Sequence, residues 1–69
     1  MITGYYKMEW RVCENNTMFS DYKLQTGYRM FTTLNEQLQD YAVKNYVTNC
    51  GIINCQPITK EEYESNTQI

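Results

Sequence analysis

The sequence predicts an α+β domain: a small antiparallel sheet, made of a hairpin plus a C-terminal strand, packed on one helix, in the order ββ(β)αβ with a short helical tail. Three observations carry this. Residues 5–13 and 18–26 alternate apolar and polar with period two. A 3.6-period segment with a start and a stop signal lies between Thr33 and Gly51. A short β-branched run, Ile52-Ile53-Asn54-Cys55-Gln56, follows it and ends at Pro57. At 69 residues the chain is one domain, spanning 1–69, and it buries only about 60% of the surface its unfolded form exposes.

In the first strand, Tyr6, Met8, Trp10 and Val12 point one way and Tyr5, Lys7, Glu9, Arg11 and Cys13 the other. Glu14-Asn15-Asn16-Thr17 then reverses the chain, since Asn tolerates positive φ and closes local turns. The returning strand is expected to place Met18, Ser20, Tyr22, Leu24 and Thr26 inward, with Phe19, Asp21, Lys23 and Gln25 outward. Gly27 either bulges a long strand or turns it into a further short one, Tyr28-Arg29-Met30-Phe31.

Thr33 and Glu36 have the spacing of a capping box, which predicts a helix from Leu34. Leu38, Ala42, Val43, Tyr46 and Cys50 form its apolar side, and Glu36, Asp40 and Lys44 its solvated stripe. Asp40 and Lys44 form an i,i+4 pair of the favourable order. Gly51 supplies the left-handed stop. Pro57 ends the last strand or places it on a sheet edge, because Pro has no ladder donor. Thr59 to Glu62 repeats the capping logic, so a helical tail is expected through Glu64, with residues 64–69 fraying. The expected core is Met8, Trp10, Tyr22, Leu24, Tyr28, Leu38, Ala42 and Tyr46.

Composition bounds the function. With no His, general acid/base work would need a carboxylate, thiol or Lys tuned by burial, and the eight acids fall on the solvated helix stripe, the tail and the strand and turn surfaces. No phosphate-binding glycine loop occurs among three glycines. The three cysteines, Cys13, Cys50 and Cys55, cannot all pair within the chain and lack zinc-ligand spacing. They read as small buried hydrophobes in a reducing cytoplasm. No enzyme activity, metal or cofactor is expected, nor a signal peptide or membrane span.

Binding is what remains. Lys7, Arg11, Lys23 and Arg29 lie in the hairpin half beside several tyrosines, the ingredients of single-strand binding. Residues 1–31 carry four basic and three acidic groups, net +1, and residues 32–69 two basic and five acidic, net -3. Glu9 and Asp21 interrupt the basic set, which makes nucleic acid the second choice. The outer face with Tyr5, Lys7, Arg11, Phe19 and Lys23 has the mixed composition of a protein-binding surface. The acidic helix face with Glu36 and Asp40 is a second such surface, and an exposed strand edge permits a homodimer.

Trp10 followed by Asn16-Thr17-Met18-Phe19, then a single helix and a closing strand with a late cysteine pair, resembles the Dmd-type antitoxins of T-even phages over residues 6–56. The resemblance implies a small cytoplasmic phage protein that binds and blocks a host endoribonuclease toxin, with Asn16, Met18 and Phe19 as contact residues. More broadly, small, acidic, Tyr-rich domains without catalytic residues resemble phage accessory proteins, toxin inhibitors and anti-CRISPR proteins among them. The expected activity is inhibition of a larger host defence protein by occupancy of a functional surface.

Overall fold

A computed structural model of the chain describes residues 1–13 and 22–67. Its elements are β1 (Ile2–Cys13), β2 (Tyr22–Thr33), α1 (Glu36–Cys50), β3 (Ile52–Ile58) and α2 (Lys60–Thr67). The strands form one antiparallel sheet in the order β2-β1-β3, so the fold is α+β as expected. The turn expected at residues 14–17 and the residues up to Asp21 lie outside the described residues.

β1 and β2 pair along their whole length, from Ile2 opposite Thr33 to Cys13 opposite Tyr22. Directly opposed residues point to the same side of a sheet. Even residues of β1 therefore share a face with odd residues of β2: Met8 with Gly27, Tyr6 with Arg29 and Gly4 with Phe31. This corrects the expected inner face of β2, which was the even one. β2 carries apolar residues at both parities, so its alternation is ambiguous, and α1 decides between them. On the face that α1 covers, Phe31 packs edge-on against both Tyr6 and Tyr46, each pair of ring centroids 5.6 Å apart.

Gly27 is neither a turn nor a bulge. It sits in regular pairing with Met8, and β2 runs past it unbroken. A Cβ at that position would lie 2.7 Å from the far ring of Trp10, so the missing side chain is space that the indole occupies. The irregularity falls in β3 instead, where pairing shifts between Glu9 opposite Asn54 and Trp10 opposite Ile52. One extra residue there turns Ile52 onto the Trp10 side, whereas unbroken pairing would turn it away. Pro57 stands opposite Tyr6 in β3, an edge strand, where its missing N–H costs no ladder bond to a further strand.

α1 begins two residues later than the capping-box spacing predicts. Asn35 is its N-cap, in extended backbone, with Oδ1 accepting from the Leu38 N–H at 3.0 Å. Thr33 stays in β2 opposite Ile2, and its hydroxyl donates to the Asn35 carbonyl at 2.9 Å. Asn caps as well as Thr, and strand pairing claims the Thr first. Gly51 closes the helix as predicted, at φ 67°, with its N–H donating to the Val47 carbonyl. Asp40 and Lys44 pair at 2.8 Å on the solvent side.

α2 forms as a helix where the helical tail was expected and extends past its expected end at Glu64. Thr59 Oγ1 accepts from the Glu62 N–H at 3.1 Å, the predicted cap, and the helix continues to Thr67. It lies against the sheet face opposite α1, where Tyr63 meets Tyr5 with ring centroids 5.0 Å apart. Odd β1 residues and even β2 residues make up that face.

The core is smaller than expected. Met8 is the one fully buried large side chain among the described residues, and Trp10, Ala42 and Tyr46 are half-buried. Leu24 and Leu38 are exposed, and Tyr28 is half-buried on the α2 face. The place expected for Leu38 is taken by Gln39, 8% exposed, whose Nε2 donates to the Phe31 carbonyl at 2.9 Å. Gly4 makes this possible, because a Cβ there would fall 2.5 Å from that same nitrogen. The molecule measures 43 × 27 × 15 Å, with a radius of gyration of 13.9 Å. A chain of this length ordinarily packs to about 11 Å, so this is a thin slab with little interior.

Candidate functional site

At one end of the α1 face the helix does not fully cover the sheet. A cleft of about 460 Å³ opens there, lined by Met8, Trp10, Gly27, Arg29, Tyr46 and Ile52. Each wall follows from an element already described. Trp10 leans across the sheet because Gly27 is bare, and Ile52 joins it because of the β3 bulge. Tyr46 comes down from the third turn of α1.

Arg29 is held in place at the rim. Its Nε donates to the Tyr46 hydroxyl at 3.0 Å, and its guanidinium carbon lies 5.2 Å from the centre of that ring. Tyr46 is in turn braced by Phe31, and Phe31 by Tyr6, so the cation ends a chain of edge-to-face rings. Among the described residues no carboxylate pairs with Arg29. Its two terminal nitrogens are therefore donors available for a planar acceptor such as a carboxylate.

Among the described residues, no carboxylate or lysine lines the cleft. Its wall carries Arg29, Tyr46 and the exposed thiol of Cys50 at the end of α1. The exposure of Cys50 corrects its reading as a buried hydrophobe. Cys55, half-buried beneath α1, fits that reading, and burial raises its pKa, which keeps it a thiol at neutral pH. The Tyr6 phenol is also raised, first by burial and then by the nearby Cys55 and Asp40 charges.

The expected partner residues do not form one surface. Tyr5, Lys7 and Arg11 share the α2 face, and Tyr5 is half-covered by Tyr63. Lys23 stands opposite Val12 on the α1 face, as does Arg29 opposite Tyr6. The four cations thus divide two and two between opposite faces, which corrects the expected outer face that joined Lys23 to Lys7 and Arg11. Glu36 and Asp40 are exposed on α1, and Lys44 partly neutralises Asp40. Asn16, Met18 and Phe19 lie outside the described residues.

Sequence reasoning missed the pairing of Arg29 with Tyr46 and the burial of Gln39. The one signal for the first was Gly27, a bare position on the strand opposite the single Trp. None of the described helices is long and apolar enough to cross a membrane. Comparison with protein-family models, curated proteins and solved structures finds no match to this chain.

Proposed function

We propose that the protein is a non-catalytic binding domain that acts by occupying a functional surface of a larger protein, and that the Trp10–Tyr46–Arg29 cleft is where it grips that partner. The carrying observation is the convergence of one Trp, one Tyr and one braced Arg on an open apolar cleft. Those three residue types dominate the energetics of protein interfaces, in pockets of this kind. The matching ligand is an apolar side chain next to a carboxylate on the partner's surface. Free Cys50 and Cys55 fit a reducing compartment, so the cytoplasm is where the partner is to be sought.

The resemblance to Dmd-type antitoxins makes bacterial toxin nucleases the first partners to try, with other host defence proteins next. Nucleic acid is less favoured, because a sheet that splits Lys7 and Arg11 from Lys23 and Arg29 has no continuous basic stripe.

Affinity capture from bacterial lysate with the wild-type protein should recover a defined partner at near-equal stoichiometry. Arg29→Ala and Trp10→Phe should then each weaken that complex by about tenfold or more in calorimetry, as expected of hot-spot residues. A partner bound equally well by both variants would sink the cleft as the site.

A further inference from the structure

The two edges of the sheet differ. β3 is short at seven residues, carries a bulge and contains Pro57, three devices that blunt an edge against further pairing. β2 has none of them. It presents 12 residues in regular pairing on one side, with no proline, and among the described residues no strand pairs with its other side. Leu24 and Met30 on that strand are 55% and 51% exposed, on the face that carries α2, Met30 directly opposite Tyr5.

We propose that β2 pairs antiparallel with β2 of a second copy about a twofold axis through Gly27, giving one continuous six-stranded sheet. A twofold axis perpendicular to the sheet keeps like faces together, so the numbers of opposed residues must add to an even sum. Side-chain pairing then selects the register. A sum of 52 sets Lys23 against Arg29 of the other copy, and a sum of 58 sets Arg29 against Arg29; like charges directly opposed are unfavourable. A sum of 56 avoids this but leaves Leu24 opposite Thr32 and Met30 opposite Thr26.

A sum of 54 places Leu24 of each copy opposite Met30 of the other, so the two exposed apolar residues of the edge cover each other twice. Thr26 then meets Tyr28, and Arg29 meets Gln25. Gly27 meets Gly27 on the axis, with a Trp10 ring over each. Every contact off the axis occurs twice, as an isologous interface requires. The two aromatic clefts end up side by side across the axis on one face of the sheet.

Sedimentation equilibrium on the full chain reads this directly. The apparent mass should rise with concentration from 8.3 kDa toward twice that value. The emission of Trp10, the only Trp in the chain, should change along the same isotherm. Leu24→Lys and Met30→Glu alone should each weaken self-association by roughly tenfold, since each pair is present twice. The double variant should recover it, because only this register brings the new Lys opposite the new Glu.

Both side chains are half exposed in the single chain, so circular dichroism should show all variants folded. A protein that stays at 8.3 kDa up to millimolar concentration overturns the proposal. A dimer indifferent to the single charges, or one that the double variant fails to restore, also overturns it. No partner protein is needed, so the outcome is separate from the binding reading above.

Discussion

The two faces of the sheet use the same kinds of residue in different ways. Under α1 the side chains interlock: Met8 is fully buried, the Trp10 ring fills the space over Gly27, and Gln39 fills the space over Gly4. Under α2, which lies along β1 and β2, one aromatic pair forms, Tyr5 with Tyr63, and Leu24 and Met30 remain half exposed. A sheet of three strands can bury one face well with a helix of 15 residues, but not a second with a helix of eight. Stability should therefore reside on the first face, and the second contributes surface.

Substitutions test that asymmetry in order of expected effect. Met8→Ala truncates the one fully buried large side chain among the described residues and should cost about 2–5 kcal/mol, read by urea unfolding. In a slab this thin such a loss can unfold the protein outright. A cost under about 1 kcal/mol would mean that the α1 face is not the core.

Gly27→Val is the sharper probe, because two effects oppose. Strand propensity alone predicts a gain of up to about 1 kcal/mol from placing Val in a strand. The indole at 2.7 Å from the new Cβ predicts a loss of about 1–3 kcal/mol through overpacking, together with a shift in Trp10 emission. Unchanged or increased stability would show that the ring moves aside freely and that Gly27 does not position the cleft.

The same residues show what could be read from the sequence. Class, helix stop, edge Pro and the Asp40–Lys44 pair follow from local chemistry, and local chemistry is what a sequence displays. The inner face of β2 does not, because Leu24, Tyr28 and Met30 at even positions outweigh Phe31 and bare Gly27 at odd ones. Only α1, packing across a register set by distant residues, settles it. The helix start was misplaced by competition: Thr33 and Asn35 are both good caps, and pairing of Thr33 with Ile2 removes one of them. The cleft was least legible, since it joins residues from β1, β2, α1 and β3 through a bulge that no residue type announces.

On the α2 side, Tyr63→Ala should cost about 0.5–1.5 kcal/mol from the lost ring pair, plus the area it covers, and should leave the rest of the sheet intact. Hydrogen exchange distinguishes the faces. Amides of residues 60–67 should lose protection while those of β1 keep theirs. Loss of protection throughout would make α2 part of the core and remove the asymmetry.

The smallest effect is one of pH, and it returns to the α1 face. Cys55 and Tyr6 ordinarily ionise at 9.0 and 10.0, and burial raises both in the folded chain. Above these values the unfolded chain releases its protons before the folded one does, so alkali favours unfolding. The contribution is fully present below about pH 9 and is lost as pH climbs through the raised folded values. Unfolding midpoints should be flat across neutral pH and fall on the alkaline side. Cys55→Ala should remove the earlier part of the fall and Tyr6→Phe the later. A double variant with the wild-type alkaline slope would place the desolvated groups elsewhere, and with them the dry side of the sheet.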